Sequence, residues 1–253
     1  FNKPAFKNVI VTGLILAADG RKMSKRLKNY TDPLKLVDTY GSDSMRLYLI
    51  SSPVVKAESF KFIDEGVRQI TRKLLPWYNA YKLFSECNSK FIQSQKGSKI
   101  NYDLINFESD NILDVWINCK LNNLIKLVRK EMDEFKLYNV LDKLLNFIDQ
   151  LTNWYIKLNR DILRGQKSVE AWSNSLNTLY HILVKFSCVM APFTPFLSDY
   201  IHLNLTNQSV HLMDYPEYNT QLNDTITDKM THMQKVIELI RQLKMSYSIV
   251  KPI

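Results

Sequence analysis

The chain has 253 residues, of which 45% are hydrophobic and 11% aromatic, and it carries a formal net charge of +9. That is enough apolar material for one large domain or two smaller ones, and no apolar run is long enough to cross a bilayer. Cys87, Cys119 and Cys188 are too far apart for a CxxC pair, and His181, His202, His211 and His232 show no metal-binding spacing, so no metal site is expected and the thiols read as buried and free in a reducing compartment.

In chain order, the sequence begins at Phe1 without an initiator Met or a signal-peptide pattern, and it closes on "SYSIVKPI"; both ends read as cuts in a longer chain. Residues 8–18, "NVIVTGLILAA", read as two short buried strands joined by a tight turn at Thr12-Gly13. A basic loop, "GRKMSKRLKNY", occupies residues 20–30. Asp32 and Pro33 then mark a helix start, and Gly41 its end. Ser42 or Asp43 is expected to cap a second short helix, which Pro53 stops. From Phe60 the period is helical, with Ile63, Val67, Ile70, Leu74, Trp77, Tyr81 and Phe84 on one stripe. Trp77, Tyr78 and Tyr81 read as core, and Pro76 as a kink or junction. Polar residues 87–106 read as a loop.

Helical stretches follow at about 109–134, 137–164, 168–189 and 224–247, with a shorter helix from Thr194 or Pro195 after the break at Pro192. Their short connections fit antiparallel neighbours. The expected fold is therefore mainly α: an antiparallel helical bundle over residues 55–253, preceded by a small α/β segment over residues 1–54.

Charge is unevenly spread. Residues 1–90 hold 16 Lys/Arg against 8 Asp/Glu, whereas residues 91–253 hold 18 against 17. No Lys or Arg lies between Lys185 and Lys229, so a polyanion would meet a directional field. The densest positive stretch is the loop at 20–30. It is not a P-loop, because six residues, not four, separate Gly13 from Gly20 and Lys22 precedes Met. A nuclear localisation signal fits the charge but not the flanking strand and capped helix. A solvated run without a ligand is the plain reading. The sharper one is a phosphate clamp: two ammonium groups three residues apart, a hydroxyl between them, and an apolar Met to anchor the loop. In that reading the loop is mobile until an anion neutralises it.

"LILAADGRKMSKRLKNYTDP" resembles the KMSKS signature region of class I aminoacyl-tRNA synthetases. "DSMRLYLISSPVVKAESFKF" looks like the segment that follows it in the cytosolic eukaryotic-type isoleucyl members, and "LPWYNAYKLF", "FIDQLTNWYIKLNRDILRG" and "VMAPFTPFLSDYIHLNL" continue the resemblance in order along nearly the whole chain. The resemblance implies that Lys25 is the second signature lysine and contacts ATP, with Lys22 assisting as the first. Met23 and Ser24 match the signature, and Arg26 stands where the family usually has Ser, so Lys22, Met23, Ser24, Lys25 and Arg26 make up the ATP loop.

It further implies ATP with Mg2+ as counter-ion, isoleucine and tRNA(Ile) as ligands of the full-length enzyme, and a cytoplasmic protein without a membrane partner, and it leaves open membership of a multi-synthetase complex. The bundle resembles the family's anticodon-binding domain. There "LTNWYIKLNRDILR" offers Asn153, Trp154, Tyr155, Lys157, Arg160 and Arg164. Asn153, Lys157, Arg160 and Arg164 fall on one helical face, while core packing is the rival reading for Trp154 and Tyr155, and a solvated or salt-bridged face for the arginines. No His here is followed by x-Gly-His, and the editing insert is missing, so this chain alone is expected not to activate isoleucine. A valyl enzyme of the same architecture, or a stand-alone helical RNA-binding or assembly module with a dead loop, are the alternatives.

Overall fold

Local side-chain caps start α-helices at Pro33, Ile112 and Val169. A computed structural model describes residues 3–97, 100, 102, 110–220 and 225–246. Helix α1 (Pro33–Tyr40) begins where Asp32 Oδ1 accepts the Leu34 N–H at 3.0 Å, and it ends where Gly41, at φ 83°, returns its N–H to the Val37 carbonyl. Helix α2 (Ser42–Ile50) follows at once.

Strand β1 (Ile15–Leu16) pairs in parallel with β2 (Phe60–Lys61), placing Ile15 opposite Phe60. A parallel pair needs a crossover, and α1 and α2 supply it. Leu36, Phe62 and Val67 fill the small core beneath, with Met23, Tyr48 and Ile15 packed against it.

The expected pair of buried strands over residues 8–18 is corrected here. Only Ile15–Leu16 is strand, and Val9, Ile10, Val11 and Leu14 are exposed. Among the described residues no strand lies beside residues 8–11 to accept their hydrogen bonds, and an apolar run without a ladder partner has no reason to stay extended and buried. Gly13 is not a hairpin turn. Its N–H meets the Val54 carbonyl at 2.8 Å, and a Cβ there would lie 1.8 Å from the Glu58 carbonyl oxygen, so only glycine lets the two backbones approach.

Helix α3 (Asp64–Ser94) buries Val67, Ile70, Leu74, Trp77 and Phe84 as the stripe predicts. Ile63 is exposed just before the helix, and Tyr78 and Tyr81 are half-buried rather than core, grouped with Tyr200 at ring distances of 5.9–6.2 Å. The helix runs unbroken through Pro76. It also continues eight residues into the stretch expected to be a loop. Cys87 and Phe91 extend the stripe from Phe84, and Phe91 packs edge-on against Trp172 at 5.0 Å. Burying a Phe ring, worth about 2 kcal/mol, outweighs the modest helix propensities of Asn88 and Ser89. The end of that expected loop falls partly outside the described residues.

Helices α4 (Ile112–Asp133), α5 (Leu141–Asp149), α6 (Arg160–Leu163), α7 (Val169–Met190), α8 (Pro195–Thr206) and α9 (Thr225–Ser246) make up the rest. Asn111 and Ser168 cap α4 and α7 through their side chains. The main core gathers Trp77, Trp116, Tyr155, Phe186 and Phe193, all fully buried, and α7 packs on α3, α4 and α8 around it. Cys87 and Cys119 are buried; Cys188 is half-buried, and burial pushes its pKa up to about 11.

The cap expected at Ser42 or Asp43 is also corrected. Gly41 precedes α2 without a side-chain cap, and Asp43 reaches across the molecule instead. Its carboxylate accepts the Leu197 N–H at 2.7 Å and the Phe196 N–H at 3.3 Å, capping α8. Arg46 donates to the Pro192 carbonyl at 3.1 Å beside it. These bonds fasten the crossover helices to the helical body.

Burial holds the Asp43 carboxyl above its ordinary range despite the two N–H donors. Asp43→Ala is expected to lower the unfolding free energy by about 2 kcal/mol, and Asp43→Asn, which keeps an acceptor without a buried charge, by less than half of that in urea titrations. Because the folded-state pKa is the raised one, the unfolded chain releases this proton first. Stability from this group therefore falls as pH rises from 3.8 towards the raised folded value.

Candidate functional site

The basic loop is a built structure. Lys22 bridges antiparallel to Leu16, so the loop leaves and re-enters beside β1. Gly20, at φ 83°, and an Asp19–Arg21 ion pair shape its first turn. The Arg21 N–H on Asp19 Oδ1 holds the Asp19 carboxyl below its usual range, assisted by the guanidinium. Asn29 pins the base from both sides: its Oδ1 accepts the Ser24 N–H at 2.9 Å, and its Nδ2 donates to the Lys22 carbonyl at 3.2 Å. The Ser24 hydroxyl accepts the Leu27 N–H at 3.4 Å, and residues 25–28 form the tip. Met23 is half-buried and packs on the small core, which is the anchoring the sequence suggests.

Lys22, Lys25, Arg26 and Lys28 are exposed, and among the described residues none of them has an ion-pair partner. Four cations thus ride on a frame that holds them close together in spite of their repulsion. Below the tip, Met23, Asn29, Phe62 and Asp64 line an open cleft, braced where the Thr31 hydroxyl donates to Asp64 at 2.6 Å. The charge pattern of the loop does not single out Asn29; the signal that finds it is an amide at the exit of a charged loop, able to donate and accept at once.

The second group of candidates lies on the stretch expected as one helix over 137–164. It is instead a 3-10 turn (Leu137–Asn139), α5, a π-helical segment (Gln150–Ile156), a break at Asn159 and the single turn α6. Asn153, Lys157, Arg160 and Arg164 all face solvent. Asn153 donates to Asp149 at 2.6 Å, and Arg160 and Arg164 form no ion pair among the described residues. Tyr155 is fully buried in the core, whereas Trp154 is half-buried with the Arg241 guanidinium 5.8 Å from its ring centre.

The structure therefore gathers the loop residues at one place and the exposed helix residues at another. It also adds cations that lie far from them in sequence: Arg72 and Lys73 of α3 share an open cleft with Asn146 and Asn153, along with Asp142 and Asp149. No local pattern could have paired residues some 80 positions apart.

Comparison with known proteins gives two family matches. Residues 114–252 match the anticodon-binding domain of tRNA ligase, and residues 1–61 match the tRNA synthetases class I (I, L, M and V). The cytoplasmic isoleucine–tRNA ligase of Saccharomyces cerevisiae is 44% identical over 96% of this chain and 24% of its own length. That of Schizosaccharomyces pombe is 42% identical over 96% and 24%, and that of Arabidopsis thaliana 42% over 96% and 21%. The chain thus spans about a quarter of these relatives.

Among solved structures, a LeuRS–tRNA–LeuAMS ternary complex from Agrobacterium radiobacter superposes with a TM-score of 0.59 at 21% identity, covering 83% of this chain and 24% of that one. Mycobacterium tuberculosis methionyl-tRNA synthetase with methionyl-adenylate gives 0.58 at 21% identity, over 83% and 40%. At such identity these two show a shared fold.

Proposed function

This chain belongs to the class I tRNA synthetases, and from that premise we propose that it is part of a cytoplasmic isoleucine–tRNA ligase, supplying the ATP-phosphate loop and the tRNA anticodon-binding surface. The carrying observation is the pinned loop with four exposed cations, without an ion-pair partner among the described residues, inside a segment that matches the synthetase family. In this reading residues 1–54 end the catalytic domain and carry the KMSKS loop, and residues 55–253 are an antiparallel helical bundle that binds the anticodon. Short helix connections such as residues 191–194 support the antiparallel arrangement.

The loop suits a triphosphate on physical grounds. Lys25 and Lys22 offer compact ammonium donors that no carboxylate among the described residues pairs with. Lys25 would stabilise the negative charge that develops on pyrophosphate as isoleucine is activated, with Lys22 assisting. Met23 anchors the loop, Ser24 fixes its turn, and Arg26 adds charge in the place where the family usually has Ser. Mg2+ would arrive with the nucleotide, as the counter-ion of its phosphates. On the helical side, Asn153, Trp154, Lys157, Arg160 and Arg164 would meet tRNA(Ile), the cations at phosphates and Asn153 at a base edge.

The test separates the part from the whole. The intact enzyme is expected to show isoleucine-dependent ATP–pyrophosphate exchange and to charge tRNA(Ile). The present chain alone is expected to give no exchange above background, because it has no His-x-Gly-His element. Exchange by this chain alone, or charging of tRNA(Val) in place of tRNA(Ile) by the intact enzyme, would overturn the assignment.

A further inference from the structure

The buried residues from Leu151 to Leu163 are spaced so that their face would drift steadily around a plain α-helix. Leu151, Tyr155, Asn159 and Leu163 are all buried, at steps of four. At 3.6 residues per turn each such step overshoots a full turn by about 40°, so three steps would swing the buried face by about 120°. The π-helical winding over Gln150–Ile156 takes up part of this drift, and the change of backbone at Asn159, φ −90° and ψ 9°, takes up more.

A buried polar cluster sits where this unusual winding is set. The Tyr155 hydroxyl donates to Asp114 Oδ1 at 2.6 Å, and the Ser175 hydroxyl donates to Asp114 Oδ2 at 3.2 Å. Asn111 Nδ2 donates to Asn159 Oδ1 at 3.0 Å and lies 3.3 Å from Ser175 Oγ. Asp114 has no exposed surface, and Ser175 and Asn159 are 1% exposed. A buried carboxylate is costly unless its oxygens are hydrogen-bonded, and a network of this kind is satisfied in few arrangements. It joins α4, α7, the π segment and the Asn159 break at one point.

We propose that Asp114 and Tyr155 are positioning residues for tRNA recognition. The cluster they anchor fixes the rotation of the π segment and of the break after it, and so sets the direction in which Asn153, Lys157 and Arg160 leave the surface. This rests on the reading that those side chains meet tRNA.

The test is made in the full-length enzyme. Tyr155→Phe removes one hydroxyl and leaves the ring in the core. It is expected to raise the KM for tRNA about tenfold, with charging kcat and isoleucine-dependent exchange unchanged. Ser175→Ala removes the second donor without touching Tyr155, is expected to raise it about threefold, and decides the question should Tyr155→Phe fail to accumulate as folded enzyme. An unchanged KM for tRNA overturns the proposal. So does an equal fall in exchange and charging, which marks a loss of folded enzyme rather than misdirected contacts. The triple substitution Asn153→Ala, Lys157→Ala, Arg160→Ala tells the two readings apart. If it leaves the tRNA KM unchanged, the contact assignment fails and the proposal with it; if it raises the KM while the cluster variants do not, the positioning claim alone falls.

Discussion

Lys25→Ala in the full-length enzyme is expected to slow isoleucine-dependent ATP–pyrophosphate exchange by about 10²- to 10³-fold, the loss typical when one preorganised donor to developing negative charge is removed. The fall should appear in kcat more than in the KM for isoleucine, because the charge that Lys25 would meet grows as the bond to pyrophosphate breaks. Folding should not suffer. Lys25 is exposed, has no ion pair among the described residues, and stands at the tip while Asn29 and Ser24 hold the base. An unchanged melting curve together with the kinetic loss is therefore the expected pair of results. Lys25→Arg keeps the charge but replaces a compact ammonium with a planar fork, and should fall between wild type and alanine. Exchange at the wild-type rate in Lys25→Ala would remove this residue from the chemistry and return the loop to a solvated basic run.

What could be read from the sequence was local. The Asp32 cap, Pro33 at the first helical position and Gly41 at the end of α1 each depend on neighbours within a few residues, and each is observed. The apolar stripes of α3 and α7 are likewise local periodicities. The misses lie where a partner distant in the chain decides. Asp43 looks like a cap for the helix it begins, yet it caps α8, 153 residues on from Asp43 to Phe196. Val9, Ile10 and Val11 look like a buried strand, but burial requires a neighbour and the described residues offer none.

Two misses left a trace. Cys87 and Phe91 continue the α3 spacing through a polar surround, and the four-residue steps from Leu151 to Leu163 depart from the α period where the π segment lies. For the candidate site, the order of residues in the loop singles out Lys22 to Lys25, the resemblance adds Arg26, and the structure adds Asn29 as the residue that pins the base of the loop.

The exposed helix edge carries the other large effect, and it should act on tRNA alone. Asn153→Ala, Lys157→Ala and Arg160→Ala together are expected to raise the KM for tRNA about thirtyfold to hundredfold, which corresponds to about 2–3 kcal/mol and matches two phosphate contacts and one base-edge hydrogen bond. Exchange without tRNA should be unchanged, because these side chains lie on the helical body and not on the basic loop. Salt offers an independent reading of the same contacts. A cation that neutralises a phosphate releases counterions, so losing Lys157 and Arg160 should flatten the slope of log affinity against log salt by about 1.5. Asn153→Ala alone should weaken binding without altering that slope, since a neutral amide releases no ion.

Lys157 and Arg160 have no ion pair to break among the described residues, and Asn153 loses only an exposed hydrogen bond to Asp149, so stability should hardly change, and a weaker tRNA interaction could not be ascribed to unfolding. Should the triple variant charge tRNA normally at all salt concentrations, these residues are a solvated face and the tRNA contact lies elsewhere. The cleft that Asn153 shares with Arg72 and Lys73 is then the next place to look, because it is the described surface where α3 brings cations beside the same helix.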